Sequence, residues 1–515
     1  DITNNKNQVF NIRGQDRIRG MNPGYAMGEL VVIEDLETDP VIDQNKIYVF
    51  KYPPADLSPV KGIMTVNEGN AVSHVQLLAR NLGIPNAVVS EDNMNKLKSY
   101  AGEDIFYAVS LTGNVIMKDA SDMTSEEKSL FAEKKRAENR ITVDTSTIDL
   151  ARDSILNMRD LDGDDSGVSV GPKAANLAQL KKIFTENVVE GIVLPFGIYK
   201  QHMQQEMETR SMTYWEFINQ IFIDKEFMLE QGFPKEEVEC VVLGELEILR
   251  DNIKKIDLIP SFQRDVEDQF NKVFKNPLGQ IPVFLRSDTN MEDLNDFTGA
   301  GLNLTKFNVV DKQEILDGIK EVWASPFTER SYNWRQSYLN NPENVFPSIL
   351  IIPSVNVDYS GVIISKDIQK GDTSSITVAF SRGVGGAVDG QKAETVILKP
   401  GYYPELVSPS RETKYRTIPP SGGSTIETAQ FSEAILSYQN MYDLFELVKK
   451  VKQDIPKYTE MSPPYDIELG FKDDKIWLFQ IRPFVENKQA GSSNYLQEIS
   501  QYPNSKNMIQ LKKEI

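Results

Sequence analysis

The chain has 515 residues, which is too many for one hydrophobic core, so we expect roughly two to four domains. Its formal net charge of -19 at pH 7 argues against nucleic acid or an anionic membrane as the main partner, because both attract an excess of Lys and Arg. The single cysteine, Cys240, excludes an intramolecular disulfide and lies in an apolar stretch, which predicts a small core residue.

The N-terminal part of the chain predicts one compact domain over residues 1–118. Short apolar runs bounded by Gly, Asn or Pro predict strands within residues 21–33 and at residues 47–50, 62–66 and 113–117. A charged stretch follows at residues 119–150, which we interpret as a linker that lets the first domain swing. An ordinary surface helix explains the same charge pattern.

His74 opens the best-formed helix of this first domain. It follows a Gly-containing loop, and the apolar residues after it have helical spacing that ends at Gly83 and Pro85. A helix start favours negative charge, so this position suits a side chain that carries an anion. The local pattern alone is equally compatible with a helix-capping or core histidine.

Lys173 lies in the first turn of a second predicted helix, which a glycine-containing turn opens near residue 171. A cation near free backbone N–H groups is what phosphate binding requires, although most lysines at helix starts are simply solvated. Residues 201–278 then predict helices whose apolar spacing is that of a core. His202 is expected on a helix surface, since no second histidine is nearby.

Arg286 is predicted at the end of a buried strand that a Gly-containing loop follows. A guanidinium in that place can grip phosphate oxygens with two hydrogen bonds, and a structural salt bridge is the alternative.

Two strands at hairpin distance near the C-terminus carry alternating polar residues. Asp466 and Glu468 share one face of the first strand, and Gln480 and Arg482 share one face of the second. Oxygen ligands from Glu468 and Gln480 suit Mg²⁺, which keeps phosphate and water as its other ligands. An edge hairpin with salt bridges is the alternative. Residues 487–515 predict a polar tail that is helical in part.

Residues 68–85, with His74 at their centre, resemble the phosphohistidine signature of the phosphoenolpyruvate-utilising dikinases. That family includes phosphoenolpyruvate synthase, pyruvate phosphate dikinase, glucan water dikinase and rifampin phosphotransferase. The resemblance implies a mobile β/β/α domain whose histidine carries phosphate between two sites. Asn70 and Val72 depart from the usual glycine and threonine.

Four further stretches resemble the motifs of the family's ATP-grasp domain, at residues 171–177, 286–301, 321–330 and 466–483. The resemblance implies ATP binding by Lys173, Arg286, Arg330, Asp466 and Arg482, and Mg²⁺ binding by Glu468 and Gln480. It also implies an N-terminal lobe with a helical insertion at residues 151–345 and a C-terminal lobe at residues 346–486. The chain departs from the family pattern at Pro172, Ala174, Asp288, Ile352 and Gly386.

The fold class implied is therefore α/β multidomain, with a swivelling phosphohistidine domain followed by an ATP-grasp domain, an order similar to that of glucan water dikinase. The activity implied is phosphorylation of His74 by ATP with Mg²⁺, then transfer to an acceptor hydroxyl, with AMP and phosphate as products. Too few residues follow Pro483 for a pyruvate-binding barrel, so phosphoenolpyruvate synthesis is not expected.

Carbohydrate, as a small molecule or polysaccharide, is the first candidate for the acceptor. The alternative function is a regulatory phosphocarrier or a degenerate ATP-binding module without sustained turnover. We expect no nucleic-acid partner because the chain is acidic. We expect no membrane partner either, since no run of about 18 apolar residues is present. A cytoplasmic location is expected, although the chain begins with Asp1 and a removed signal peptide is compatible with that start.

Overall fold

The structure is a computed structural model that describes residues 7–34, 42–51, 60–66, 72–134, 141–292, 303–388, 392–401, 403–431, 433–486 and 493–500. The chain divides into two compact units: unit 1 comprises residues 1–139 and 485–515, and unit 2 comprises residues 140–484. Both combine helices with β-sheets, which agrees with the predicted α/β multidomain class. Within the described ranges no helix has both the length and the apolarity that crossing a membrane requires.

Unit 1 is built on one mixed sheet. Its described strands are β1 (Gln8–Val9), β2 (Arg19–Asn22), β3 (Gly24–Ile33), β4 (Ile47–Phe50), β5 (Gly62–Thr65), β6 (Asn86–Val88), β7 (Asp104–Val109) and β8 (Val115–Asp119). They are arranged in the order β1-β8-β7-β3-β4-β5-β6-β2. The helices before unit 2 are α1 (His74–Leu82), α2 (Glu91–Leu97) and α3 (Ser125–Lys134).

The strand predicted at residues 62–66 and the helix predicted to begin at His74 are present in unit 1. Strands β5 and β6 pair in parallel, and α1 makes the connection between them, because parallel neighbours need a crossover rather than a tight turn. Gly83 ends α1 with a φ of 65°, a left-handed conformation that favours glycine.

Unit 2 contains two antiparallel sheets and a separate hairpin. The five-stranded sheet has the order β12-β11-β13-β10-β9, and the six-stranded sheet has the order β17-β16-β15-β14-β20-β21, while β18 pairs only with β19 among the described strands. The strands are β9 (Leu156–Asn157), β10 (Ile192–Leu194), β11 (Val283–Thr289), β12 (Thr305–Val309), β13 (Pro347–Pro353), β14 (Tyr359–Ile364), β15 (Ile376–Arg382), β16 (Glu394–Lys399), β17 (Tyr403–Ser408), β18 (Lys414–Thr417), β19 (Thr425–Thr428), β20 (Tyr465–Lys472) and β21 (Lys475–Pro483).

The described helices of unit 2 are α4 (Pro172–Ile183), α5 (Phe196–Met203), α6 (Tyr214–Glu230), α7 (Lys235–Ile253), α8 (Pro260–Phe274), α9 (Lys312–Ala324), α10 (Glu329–Tyr338) and α11 (Tyr438–Asp454). Helices α5 to α8 therefore occupy the stretch predicted to be helical at residues 201–278.

Strand β13 separates the two hydrophobic cores of unit 2. Ile349 and Ile351 pack with the helical segment, whereas Leu350 and Ile352 pack with α4, α11 and the six-stranded sheet. Side chains alternate between the faces of a strand, so a continuous apolar run is required where both faces are buried. The predicted lobe boundary at residues 345/346 precedes a strand of the five-stranded sheet, and the predicted domain bounds remain predictions.

Two expectations about single residues in the helical segment are wrong. His202 is fully buried rather than on a surface, because the rings of Phe262 and Trp323 cover it. Burial lowers its pKa, and a contact of 2.9 Å between its Nδ1 and the Ile198 carbonyl opposes that effect. Cys240 is exposed rather than in the core, because it lies two positions, about 200° of helix rotation, from the buried Val238.

Part of the predicted polar tail returns to unit 1. The chain forms a short helix, α12 (Asn494–Glu498), whose Tyr495 hydroxyl donates to Glu127 Oε1 over 2.8 Å. The Tyr495 ring packs edge-on against Phe106, with 6.0 Å between the ring centroids. Unit 1 is therefore assembled from both ends of the chain. Residues 487–492 and 501–515 of the predicted tail lie outside the described residues.

Candidate active site

The hairpin of β20 and β21 brings together four of the predicted site residues. Asp466 lies opposite Arg482 in the strand register, and Glu468 lies opposite Gln480. Residues paired across antiparallel strands share a face, and so do residues two apart on one strand. The convergence expected from the alternating pattern is therefore present.

Asp466 and Arg482 form a buried ion pair within this group. Arg482 donates to Asp466 Oδ2 from Nε over 2.8 Å and approaches the same oxygen with Nη2 at 2.7 Å. Its Nη2 atom is also 3.9 Å from Glu468 Oε1. The two charged side chains of the pair are only 3–4% exposed. Asp466 thus orients Arg482, because two donors of one guanidinium converge on the same carboxylate oxygen.

Arg286 joins this hairpin from β11. Its Nη1 donates to the Phe479 carbonyl over 2.6 Å, and its Nη2 donates to Gln480 Oε1. The same Nη2 atom lies 3.6 Å from Glu468 Oε2. Glu468 therefore has a guanidinium near each of its oxygens, from Arg286 on one side and Arg482 on the other.

Lys173 lies at the start of α4, next to strand β11, which carries Arg286. Its Nζ donates to the carbonyl of Ser287 over 2.9 Å and forms an ion pair with the buried Glu292. Ser287 directly follows Arg286. The residue that accepts from the ammonium of Lys173 and the residue that carries the guanidinium are therefore adjacent on β11.

The N–H groups expected to be free at the start of α4 are bonded. Asp288 Oδ1 accepts from the N–H of Lys173 and Oδ2 accepts from that of Ala174, each over 2.9 Å. Ser348 Oγ accepts from the N–H of Gly171 over 3.0 Å. The carboxylate of Asp288, a departure from the family pattern, thus caps the start of α4.

The Asp288 carboxyl group is fully buried, and its ionisation is affected accordingly. Burial and then the charge of Glu292 raise its pKa to about 7, while Lys173 and the two backbone N–H groups act in the opposite direction. This carboxyl group can therefore change protonation state near neutral pH.

Arg330 lies in the first turn of α10 and is half-buried. A short chain of hydrogen bonds connects its neighbour Ser331 with the Lys173 ion pair. Ser331 Oγ donates to Asn303 Oδ1 over 2.8 Å, and Asn303 Nδ2 donates to Glu292 Oε1 over 2.5 Å. The start of α10 is thus connected to the group around α4 and β11.

His74 belongs to unit 1 and is the first residue of α1, directly after Ser73. Buried polar contacts fix this helix. Asn22 Nδ2 donates to the carbonyl of Ala79 in α1 over 2.8 Å and to that of Ile84, just beyond the helix, over 2.7 Å, and Asn86 Nδ2 donates to Gln76 Oε1 over 2.7 Å. Residues 68–71 of the signature, including Asn70, lie outside the described residues.

The donor set at the hairpin has the chemistry that Mg²⁺ prefers. Glu468 and Gln480 offer oxygen atoms from paired positions on adjacent strands. Across the described ranges, no group of three or more His, Cys, Asp or Glu is arranged to hold a metal ion. Gln480 Oε1 accepts from Arg286, and each Glu468 oxygen lies within 4 Å of a guanidinium, so an ion bound here would share these oxygens with the two arginines.

Three hydrogen bonds at the end of β15 and in the glycine turn after it were missed by sequence reasoning. Glu412 Oε1 accepts from the backbone N–H of Arg382 over 3.1 Å and from its Nη1 over 2.9 Å, and Ser360 Oγ accepts from the N–H of Gly385 over 3.0 Å. An acidic side chain thus lies close to the turn in which Gly386 departs from the family pattern.

Residues 168–502 match the family model described as the pyruvate phosphate dikinase, AMP/ATP-binding domain. This match covers well over half of the chain, and the chain therefore belongs to the phosphoenolpyruvate-utilising dikinase family, as the motifs predicted.

The matches to three curated relatives cover between 39% and 65% of this chain. Phosphoenolpyruvate synthase of Pyrococcus furiosus is 22% identical in an alignment of 364 positions that covers 65% of this chain and 42% of that protein. Rifampicin phosphotransferase of a Streptomyces species is 28% identical over 206 residues, 39% of this chain and 23% of that protein. Phosphoenolpyruvate synthase of Helicobacter pylori is 28% identical over 235 residues, 43% of this chain and 26% of that protein. The chain spans less than half of the length of each of these relatives.

Proposed function

We propose that the chain is an ATP-dependent dikinase-type phosphotransferase, with ATP bound in unit 2 and His74 of unit 1 as the phosphate carrier. The observation that carries this proposal is the group of Lys173, Arg286 and Arg482, three cations held by neighbouring strands and the start of α4. Family membership supports nucleotide binding by the same part of the chain.

The three cations and Arg330 neutralise the triphosphate and fix its orientation, which is most of what a protein contributes to phosphoryl transfer. Asp466 acts indirectly in this scheme, by holding the guanidinium of Arg482. Glu468 and Gln480 would hold Mg²⁺, which when bound supplies further neutralisation of phosphate charge.

In the first step, a ring nitrogen of His74 forms a bond to the β-phosphorus of ATP, and AMP leaves. Water removes the terminal phosphoryl group as inorganic phosphate, so a single phosphoryl group remains on His74. An acceptor hydroxyl then takes this group, and its proton is released. Unit 1 serves as a swivelling phosphohistidine domain in this scheme.

A carbohydrate hydroxyl is the first candidate for the acceptor. The support is the order of the motifs, with the histidine signature before the nucleotide motifs, which resembles glucan water dikinase. A regulatory phosphocarrier that is labelled once without turnover is the second candidate. Its support is the set of departures from the family pattern, at Pro172, Ala174, Asp288, Ile352 and Gly386.

The test supplies [β-³²P]ATP with and without soluble glucan, and then separates nucleotides, protein and sugar. The expected result is AMP, with acid-labile label on His74 that moves to the glucan. The His74→Ala variant should bind ATP and take no label. The control variant His202→Asn should take as much label per mole of folded protein as the wild type. If ADP were the sole nucleotide product, with no transient label on the protein, the dikinase reaction would be excluded. Stoichiometric labelling without turnover favours the regulatory alternative.

A further inference from the structure

Strand β11 holds both ends of Lys173. The backbone N–H of Lys173 donates to the carboxylate of Asp288, and its Nζ donates to the carbonyl of Ser287, each over 2.9 Å. These two partners are successive residues of one strand, so the position of the ammonium group is set relative to β11 at two points.

The start of α4 packs tightly against β11. An ideal Cβ built on Gly171 would lie 2.2 Å from Asp288 Oδ1, a distance that no side chain tolerates, so glycine is required for the carboxylate to approach. Pro172 has no N–H group, and the N–H groups of Gly171, Lys173 and Ala174 already have partners. The four backbone positions that open α4 therefore offer no donor to a phosphate.

The departures from the family pattern at Pro172, Ala174 and Asp288 thus meet at one place. Pro and Ala restrict the backbone more than the glycines that they replace, and Asp288 supplies two acceptors to the restricted turn. Where the family has glycines, the start of α4 in this chain has a restricted backbone that Asp288 caps.

We propose that Asp288 is the positioning residue for Lys173 in ATP binding, and that α4 contributes the Lys173 side chain to the phosphate site but none of its backbone N–H groups. This inference rests on the proposed function, since it assumes that Lys173 binds the nucleotide. Asp288 itself contacts no substrate and acts only through the helix start that it caps.

The test is a double-mutant cycle on the full chain, with equilibrium ATP binding measured by calorimetry. Asp288→Asn replaces one carboxylate oxygen with an amide donor that repels a backbone N–H, and should weaken ATP binding by roughly tenfold. In the Lys173→Ala background the same substitution should change the dissociation constant less than about twofold, because the group that it positions is gone. Ser348→Ala is the matched control, since it removes the acceptor of the Gly171 N–H and the donor to the Asp288 carbonyl but leaves the Asp288 carboxylate in place, and it should leave ATP binding within about twofold of wild type.

Equal losses from Asp288→Asn in both backgrounds would show a general structural role and overturn the proposal. Tighter ATP binding by Asp288→Asn would overturn it as well, because the carboxylate would then compete with phosphate for the helix start. Asp288→Ser, which keeps one acceptor, provides the same cycle if the Asn variant does not fold. A wild-type chain that binds no ATP overturns the proposed function together with this inference, whereas ATP binding with additive variants overturns the inference alone.

Discussion

Asp466 and Arg482 face each other across β20 and β21, and both are almost completely buried. An ion pair in this environment orients the guanidinium but need not stabilise the fold relative to an apolar pair, because both charges lose hydration. The pair is therefore better explained by a need for a positioned cation than by a need for stability.

Removing Arg482 alone should destabilise unit 2. Arg482→Met leaves the buried Asp466 carboxylate without this partner, and we expect a loss of about 3–5 kcal/mol in the free energy of unfolding. Urea denaturation of the full chain measures the loss. Lys457→Met, which breaks a surface pair with Asp454, is the control and should cost less than about 1 kcal/mol. A similar cost for both variants would contradict the buried role of the Arg482 pair.

Lys173 and Arg286 should be needed for phosphorylation of His74. Lys173→Ala and Arg286→Ala each remove a charged phosphate partner, a change that typically costs about 2–4 kcal/mol of transition-state stabilisation, or roughly 30- to 1000-fold in rate. Single-turnover labelling with [β-³²P]ATP measures the rate. Lys449→Ala on the exposed side of α11 is the control. Labelling at the wild-type rate in either site variant would show that its cation does not contact the nucleotide.

Glu468 should determine the metal requirement. Glu468→Gln keeps the shape of the side chain and removes the charge that suits Mg²⁺, so a higher Mg²⁺ concentration should be needed for half-maximal labelling. Titration of Mg²⁺ at fixed ATP gives that concentration. Glu427→Gln, on the exposed strand β19, should leave it unchanged. An unchanged requirement in Glu468→Gln would remove the hairpin from consideration as the metal site.

Asp288 should give the chain a characteristic dependence of stability on pH. The pKa of its carboxyl group rises from 3.8 to about 7 on folding, so between these values the folded chain binds more protons than the unfolded chain. Its contribution to the free energy of unfolding therefore falls as the pH rises through this interval, by at most about 1.4 kcal/mol per pH unit for one proton. Lys173 and Glu292 are the charged groups that affect it.

The measurement compares wild type with Asp288→Asn in thermal unfolding at about pH 5, 6, 7 and 8. The stability of the wild type relative to the variant should decrease from pH 5 to 7 and level off above pH 7. Parallel profiles for the two proteins would show that Asp288 does not titrate in this range.

The parts of the site that depend on short sequence periods could be predicted. The alternation of Asp466 with Glu468, and of Gln480 with Arg482, predicts one shared face on each strand, and the hairpin register pairs these four residues. The helix that begins at His74 was predicted from apolar spacing and from the Gly83 stop signal.

The parts that depend on contacts between distant residues could not be predicted. Helix-capping patterns are local, whereas Asp288 caps α4 from more than a hundred positions away. The burial of His202 depends on the rings of Phe262 and Trp323, which lie on other helices, and spacing within one helix does not reveal that. The roles of the eight predicted site residues remain predictions, because a static arrangement of side chains does not report turnover.

The return of the C-terminal helix α12 to unit 1 makes unit 2 an insertion between two parts of unit 1. A single cleavage between the units therefore separates neither unit intact, since one fragment always carries part of unit 1 together with unit 2. Release of unit 2 requires two cleavages, and unit 1 is then a complex of two peptides held by contacts such as that of Tyr495 with Glu127. Anyone who wishes to prepare unit 1 alone would have to join residue 139 to residue 485.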